Sequence, residues 1–328
     1  MHTLDRVRRW ARGALMAAVT CLAALTQAAH AWPDKAITLV VPNPPGGAAD
    51  HLARGFAEEM AKRLKQPVVV ENVGGASGVL GAQKVLRAPA DGYTLIFGNT
   101  SDMVVTPIAN PNAGYATRDF TPVALVGLTP MALVAQPSLG VSGIDQLVAQ
   151  AKARPNGLTV GTTGASSFQA FSTMALQKAA GIDLLAVPYK GGAPLTNDLL
   201  GGQIDLAVMA MPGAMPHVRS GKLTLLGLLV DKRLPTAPDL PTVNDGTAVK
   251  GVSMQIWAGI GGPPGLPASV VEKLNTAVRD ILVDKDFNDR RLRNGDIPVT
   301  PMTAAEFCRF LGGEVEKFRG LATGMKLE

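Results

Sequence analysis

Cysteine and histidine are nearly missing from this chain. Its 328 residues include two cysteines, Cys21 and Cys308, and four histidines. If the first 31 residues are removed in the mature protein, only Cys308, His51 and His217 remain. One cysteine forms no internal disulfide and no thiolate cage, and two histidines are few for a metal centre. No metal or other cofactor is expected. A chain this long buries a large core and needs no covalent staple. Aromatic residues are sparse at 5%, and charged residues make up 17%. Sequence signatures of catalysis are also missing. No G-x-S-x-G, H-E-x-x-H, C-x-x-C, phosphate-loop or G-x-G-x-x-G pattern occurs. Ser77, Ser166 and Ser167 have no histidine in a comparable loop to act as their base. A binding protein is therefore favoured over an enzyme.

A membrane-spanning run is absent too. The uncharged stretch from Gly13 to Leu25 falls short of the roughly 20 apolar residues that a spanning helix needs. It follows Arg6, Arg8, Arg9 and Arg12 and precedes Ala29-His30-Ala31. That order predicts a secretory signal over residues 1–31, cleaved near Ala31 to leave Trp32 first in a periplasmic protein. Thr20 before Cys21 is a poor match to a lipid-anchor site. The formal charge of +5 owes much to this segment. Without its four arginines and one aspartate, 27 basic residues face 25 acidic ones. No basic run survives, so no nucleic acid partner is expected.

What is abundant is glycine, at 36 residues, with 24 prolines. Apolar runs alternate with glycine-rich loops and helical patterns. Strands are predicted at 36–42, 68–71, 94–98, 123–127, 131–135, 158–161, 184–187, 206–209, 223–229 and 253–260. Helices are predicted at 49–64, 79–87, 142–153, 168–180, 194–200, 268–282 and 304–322. Ser142 with Asp145, and Thr303 with Glu306, are read as helix-start signals. Strand–loop–helix repetition points to an α/β fold with a parallel sheet. The crossovers near 123–135 and 223–230 predict a first lobe at 32–124 and 229–328 and a second at 125–228, joined by a hinge.

In such sheets ligands bind at the carboxyl ends of strands, where helix N-termini offer free N–H groups to anions. The candidate loops are 44–49, 74–78, 100–102, 162–167 and 191–193, with Thr100 and Ser101 in the third. Asp50, at the head of the first long helix, either favours the helix dipole or orients a ligand through water. Tyr189 is either a core aromatic or a ligand contact. Trp257 is expected to pack rather than line the cleft.

Several stretches together resemble one family. They are Trp32–Lys35, Val41–Asp50 (VPNPPGGAAD), Pro67–Asn72, Ala90–Leu95, Val187–Gly191 and Asp198–Asp205, followed by Pro216–Val218, Gly221–Leu223 and Asp239–Val243. Over the whole mature length the chain resembles the Bug family, the substrate-binding proteins of tripartite tricarboxylate transporters. The resemblance implies a two-lobe periplasmic-binding-protein architecture (type II, Venus flytrap) that closes over a small carboxylate. It implies main-chain contacts to the carboxylate from Gly46, Gly47, Ala48, Ser77 and Gly78, and second-lobe contacts from Ala165, Ser166 and Ser167. Asn43 and Asp205 complete the candidate set. Asn43 stands where the family usually has an aromatic residue, Ala170 where a histidine is common, and Met209-Ala210 where an Asp-Asn pair is frequent. A less charged second-lobe side follows, which favours an acid with an apolar or aromatic body. Membrane transporter subunits are the implied partners, and a monomer is expected. A receptor for a sensor system and an exported hydrolase are the alternatives.

Overall fold

Ile37, Leu39, Val40 and Val41 are completely buried, so the first strand has no solvent face. Such near-continuous apolar strands belong inside an α/β sandwich, with helices on both sheet faces. The computed structural model describes residues 32–164, 167–189, 191–293, 297 and 299–323. Residues Ala36–Glu328 form one folded unit, and Trp32–Lys35 belong to a separate N-terminal one. The expected signal segment, residues 1–31, lies outside the described residues.

The strands are β1 (Ile37–Val41), β2 (Val68–Asn72), β3 (Thr94–Asn99), β4 (Thr121–Ala135), β5 (Thr159–Thr162), β6 (Leu185–Pro188), β7 (Leu206–Ala210), β8 (Thr224–Leu228) and β9 (Gln255–Gly262). The helices are α1 (Ala48–Leu64), α2 (Val79–Leu86), α3 (Thr106–Ala109), α4 (Ile144–Ala153), α5 (Phe168–Ala180), α6 (Gly192–Leu200), α7 (Met211–Arg219), α8 (Ala268–Leu282), α9 (Lys285–Arg293) and α10 (Ala304–Ala322). Along the sheet the order is β2-β1-β3-β9-β4-β7-β5-β6, with β8 also on β4. β1 runs parallel to β2 and β3, and β5 parallel to β6 and β7. β9 and β4 are the antiparallel strands between these two parallel groups.

β4 joins the lobes. Thr121–Pro130 pair with β9, and Met131–Ala135 pair with β7. Two separate strands, 123–127 and 131–135, were expected here. Instead the strand is continuous, and Pro130 is the last residue paired with β9. Proline lacks an N–H, so it is tolerated where the ladder changes partner. The chain leaves β8 at Leu228 and rejoins the first group of strands at Gln255. Between them, Val230 and Leu234 pack in the core beneath α6 and α7. Main-chain bonds from Leu229 N to Met131 O (2.8 Å) and Met254 N to Leu229 O (2.9 Å) tie this crossing to β4.

Other differences have local causes. α4 starts at Gly143 without a side-chain cap. Ser142 bonds Gln146 instead, and Asp145 accepts from the N–H groups of Thr247 and Ala248, both at 2.9 Å. α7 was not expected because Pro212 and Pro216 interrupt its pattern. Pro212 sits in the first turn, where its missing N–H costs nothing. α9 is too polar to show an apolar stripe. At α10 the expected capping box forms, with Thr303 Oγ1 accepting from Glu306 N at 3.2 Å and Glu306 accepting from Thr303 N at 2.8 Å.

Candidate functional site

Loops at the carboxyl ends of β1, β2 and β3 face the β5–α5 loop across a cleft of about 800 Å³. The first-lobe wall includes Asn43, Gly75, Ser77, Gly78, Asn99, Ser101 and Asp102. Across from it lie Thr163, Gly164, Ser167 and Phe168, and Ile256 of β9 also lines the space.

The β1–α1 loop is braced from beneath. Asp50, only 3% exposed, accepts from Gly46 N (2.9 Å), Arg54 Nε (3.0 Å) and Asn72 Nδ2 (3.0 Å). The Arg54 guanidinium and the Gly46 amide hold its carboxyl down at about 2. Asn72 Nδ2 also donates to Asn43 O at 3.2 Å. Asp50 is therefore occupied within the loop and does not line the cleft. The Gly46 amide, an expected ligand donor, is committed to Asp50. Gly46 has φ +83°, so glycine is required for its backbone rather than for space. Gly47 ends the loop as the uncapped N-cap of α1, which leaves the first-turn amides of the helix without a side-chain acceptor.

The loop after β2 is unusual. Gly75, Ala76, Ser77 and Gly78 have φ of 128°, 48°, 56° and 90° in succession. Left-handed backbone costs an ordinary residue about 1–2 kcal/mol, and two of these four carry a Cβ. Consecutive residues of this kind curl their amides into a concavity suited to an anion. Thr106 Oγ1 holds the turn by donating to Ser77 O at 3.0 Å. Gly78 admits no side chain, because a Cβ there would stand 2.4 Å from Asp102 Oδ1.

The third loop is locked by reciprocal caps. Asn99 Oδ1 accepts from Ser101 N (2.7 Å) and Asp102 N (3.3 Å), while Asp102 Oδ2 accepts from Asn99 N (3.2 Å). Asn43 Nδ2 reaches the same Oδ2 at 3.3 Å, linking this loop to the first. Burial raises the Asp102 carboxyl to about 7, against the lowering effect of these two donors. Thr100 is fully buried, and its Oγ1 accepts from Trp257 N at 2.9 Å. It fastens β3 to β9 and is not in the cleft. Trp257 is itself fully buried and donates Nε1 to Glu314 at 3.0 Å.

On the second lobe, Ser167 caps α5. Its Oγ accepts from Ala170 N at 3.2 Å and donates to Gly164 O at 2.8 Å. Ala165 and Ser166 lie outside the described residues, and so does the side chain of Ala48. Two candidates are elsewhere. Tyr189 packs on the second-lobe core and donates its hydroxyl to Asp198 Oδ2 at 2.9 Å. Asp205 precedes β7, at the opposite end of the sheet from the cleft, and accepts from Thr159 N and Oγ1, both at 2.8 Å. Asn99, not singled out from the sequence, and Asp102, the last residue of the expected 100–102 loop, join Asn43, Ser77, Gly78, Ser101 and Ser167 in the cleft wall. The signal for them was a polar cluster directly after a buried strand. Among the described residues no three His, Cys, Asp or Glu side chains gather as a metal would require.

Residues 52–327 match the tripartite tricarboxylate transporter family receptor. The chain belongs to that family. Its relatives include Protein BugT of Bordetella pertussis, 32% identical over 304 residues, which are 92% of this chain and 93% of BugT. Among solved structures, an R. palustris protein with adipate is 31% identical with a TM-score of 0.78, covering 89% of this chain and 97% of that one. MatC from Rhodopseudomonas palustris with bound malate is 30% identical with a TM-score of 0.75, covering 88% and 99%. The Bug resemblance and the two-lobe binding-protein fold are thus established, and the family's role is that of a solute-binding receptor. No helix among the described residues is long and apolar enough to cross a membrane.

Proposed function

We propose that this receptor captures a small carboxylate in the cleft between its lobes and presents it to the membrane subunits of a tripartite transporter, without turning it over. The observation that carries this reading is the curled Gly75–Gly78 backbone opposite the α5 N-terminus, both bordering one cleft. Each end offers main-chain amides to an anion, which suits a carboxylate better than a neutral solute. The related structures with adipate and malate support the same chemistry. Phe168, Ile256, Val105 and Ala109 give part of the cleft an apolar lining, which suits an acid with an apolar body.

We assign the carboxylate contacts to Ser77 and the Ser101 side chain on the first lobe and Ser167 on the second, with Gly47, Ala48, Gly78, Ala165 and Ser166 as neighbours in the same loops; the Gly78 amide itself donates to Gly75 O at 3.0 Å. Export to the periplasm with cleavage near Ala31, and action as a monomer, complete the proposal. Native mass spectrometry of freshly purified protein tests it. A retained small acid, displaced by excess adipate or malate, is the expected result. Turnover of the retained compound, or capture of neutral solutes alone, contradicts the proposal.

A further inference from the structure

Asp102 lines the cleft and is 3% exposed. An ionised carboxylate at that depth is costly unless cations or several donors surround it. Its described partners are neutral: Asn43 Nδ2 and Asn99 N, both directed to Oδ2. Among the described residues no hydrogen bond reaches Oδ1. That atom packs against Gly78, in the space that a side chain there would need. The second carboxyl oxygen thus borders the curled loop, on a residue that lines the cleft.

We propose that Asp102 meets the ligand as a neutral acid, its O–H donating to a ligand carboxylate oxygen, so that capture is gated by pH; this rests on the carboxylate function proposed for the cleft. Two ionised carboxylates side by side in a poorly solvated site repel, so one proton must be shared between them. At acid pH Asp102 already carries that proton. At alkaline pH it is taken from solvent as the ligand enters, and binding weakens accordingly. Burial places the changeover near neutrality, at about 7 in the empty cleft.

The groups facing Asp102 do not supply an alternative switch. Tyr115 donates its hydroxyl to the Asp102 main-chain oxygen at 2.5 Å, and burial raises its own titration far into alkali. From the β1–α1 loop comes Asn43, with Asp50 behind it paired to Arg54. From the β2–α2 loop come Ser77 and Gly78, which do not titrate here. α10 packs on the turn that holds Asp102, and its Glu314 is directed to Trp257 and Lys317. Across the cleft the described residues are Thr163, Ser167 and Gln169, all neutral. His51 lines a different groove, with Phe287 and Arg290.

The test is calorimetric titration of the purified protein with succinate, malate, adipate and benzoate, all ionised above about pH 6. The strongest binder is then titrated in two buffers of unlike ionisation enthalpy. Parent affinity should fall about thirtyfold between about pH 6 and about pH 8.5, with close to one proton taken up per ligand at the upper pH. Asp102→Asn mimics the neutral acid, and it should bind equally at both pH values without proton uptake. A parent affinity that does not change, a pH slope that survives in D102N, or a folded D102N that binds at neither pH overturns the proposal. Failure of every acid to bind the parent at either pH overturns the carboxylate function itself. A ligand-free readout stands beside these. Because folding raises the Asp102 titration from 3.8 to about 7, the parent should lose stability relative to D102N as pH rises through that window. A stability gap that stays constant there also contradicts the neutral acid.

Discussion

Asp50, behind the first loop, and Asp102, in the cleft wall, differ in what surrounds them. Asp50 has a guanidinium, a main-chain amide and a side-chain amide, and it stays ionised. Asp102, equally 3% exposed, has two neutral donors and no cation. Asp50 therefore fixes loop geometry, and its effect should appear in stability. Its carboxyl lies below the ordinary value of 3.8, at about 2, so its contribution is complete above the first value and fades as pH falls toward the second. Asp50→Asn should cost about 1–3 kcal/mol near neutrality by leaving buried donors poorly served. Urea melts should show that gap closing between about pH 4 and about pH 2. A gap independent of pH would mean that the ion pair with Arg54 does not carry the effect. Neither residue's role was legible in sequence. Asp50 read equally well as a dipole partner or a pocket acid, because Asn72, its third partner, comes from another strand. Tyr189 and Asp205 misled for the same reason, since their partners Asp198 and Thr159 are set by the fold.

At the scale of elements, helices with clear start signals were read closely. α5, α8 and α10 begin and end where their patterns predict, and the Thr303–Glu306 box forms as the spacing requires. Thr303→Ala should lower stability by about 1 kcal/mol and leave ligand affinity unchanged, which thermal melts and titration together would show. Elements were lost where proline or high polarity hid the pattern, as in α7, α9 and the passage of β4 through Pro130. The Gly75–Gly78 turn is the element that matters for function. Gly78→Ala places a Cβ against Asp102 Oδ1 in a backbone conformation that side chains rarely adopt. It should cost about 1–3 kcal/mol in stability and weaken ligand binding at least tenfold. A fully stable variant with parental affinity would remove this loop from the site.

At the scale of the molecule, three elements among the described residues connect the lobes. The sequence placed the crossovers near 123–135 and 223–230; in the structure the exchange of partners on β4 falls at Pro130–Met131, and the chain joins β9 at Gln255. The third is α10. Its Phe307 packs on Trp257 with ring centres 5.9 Å apart, and its Phe318 packs on Phe168 and Phe171 of α5 at 5.7 and 5.5 Å. Phe168 also lines the cleft, so one ring touches both the ligand space and the C-terminal helix. No sequence period reports such a contact, because it joins residues 150 positions apart. A ligand contacted by both lobes favours the closed arrangement only by binding it more tightly. Small-angle scattering should therefore show a smaller radius of gyration with saturating ligand. An unchanged radius with ligand bound would exclude a large closure.

The central claim is that an anion sits against the curled first-lobe backbone and the α5 N-terminus. A crystal structure of the protein with its retained acid tests this most directly. The account predicts a carboxylate within hydrogen-bonding distance of main-chain amides in the Gly75–Ser77 turn, with Ser101 and Asp102 beside it and Ser167 across from it. An acid held by side chains alone, or seated in the separate groove between Phe120 and α10, would contradict it.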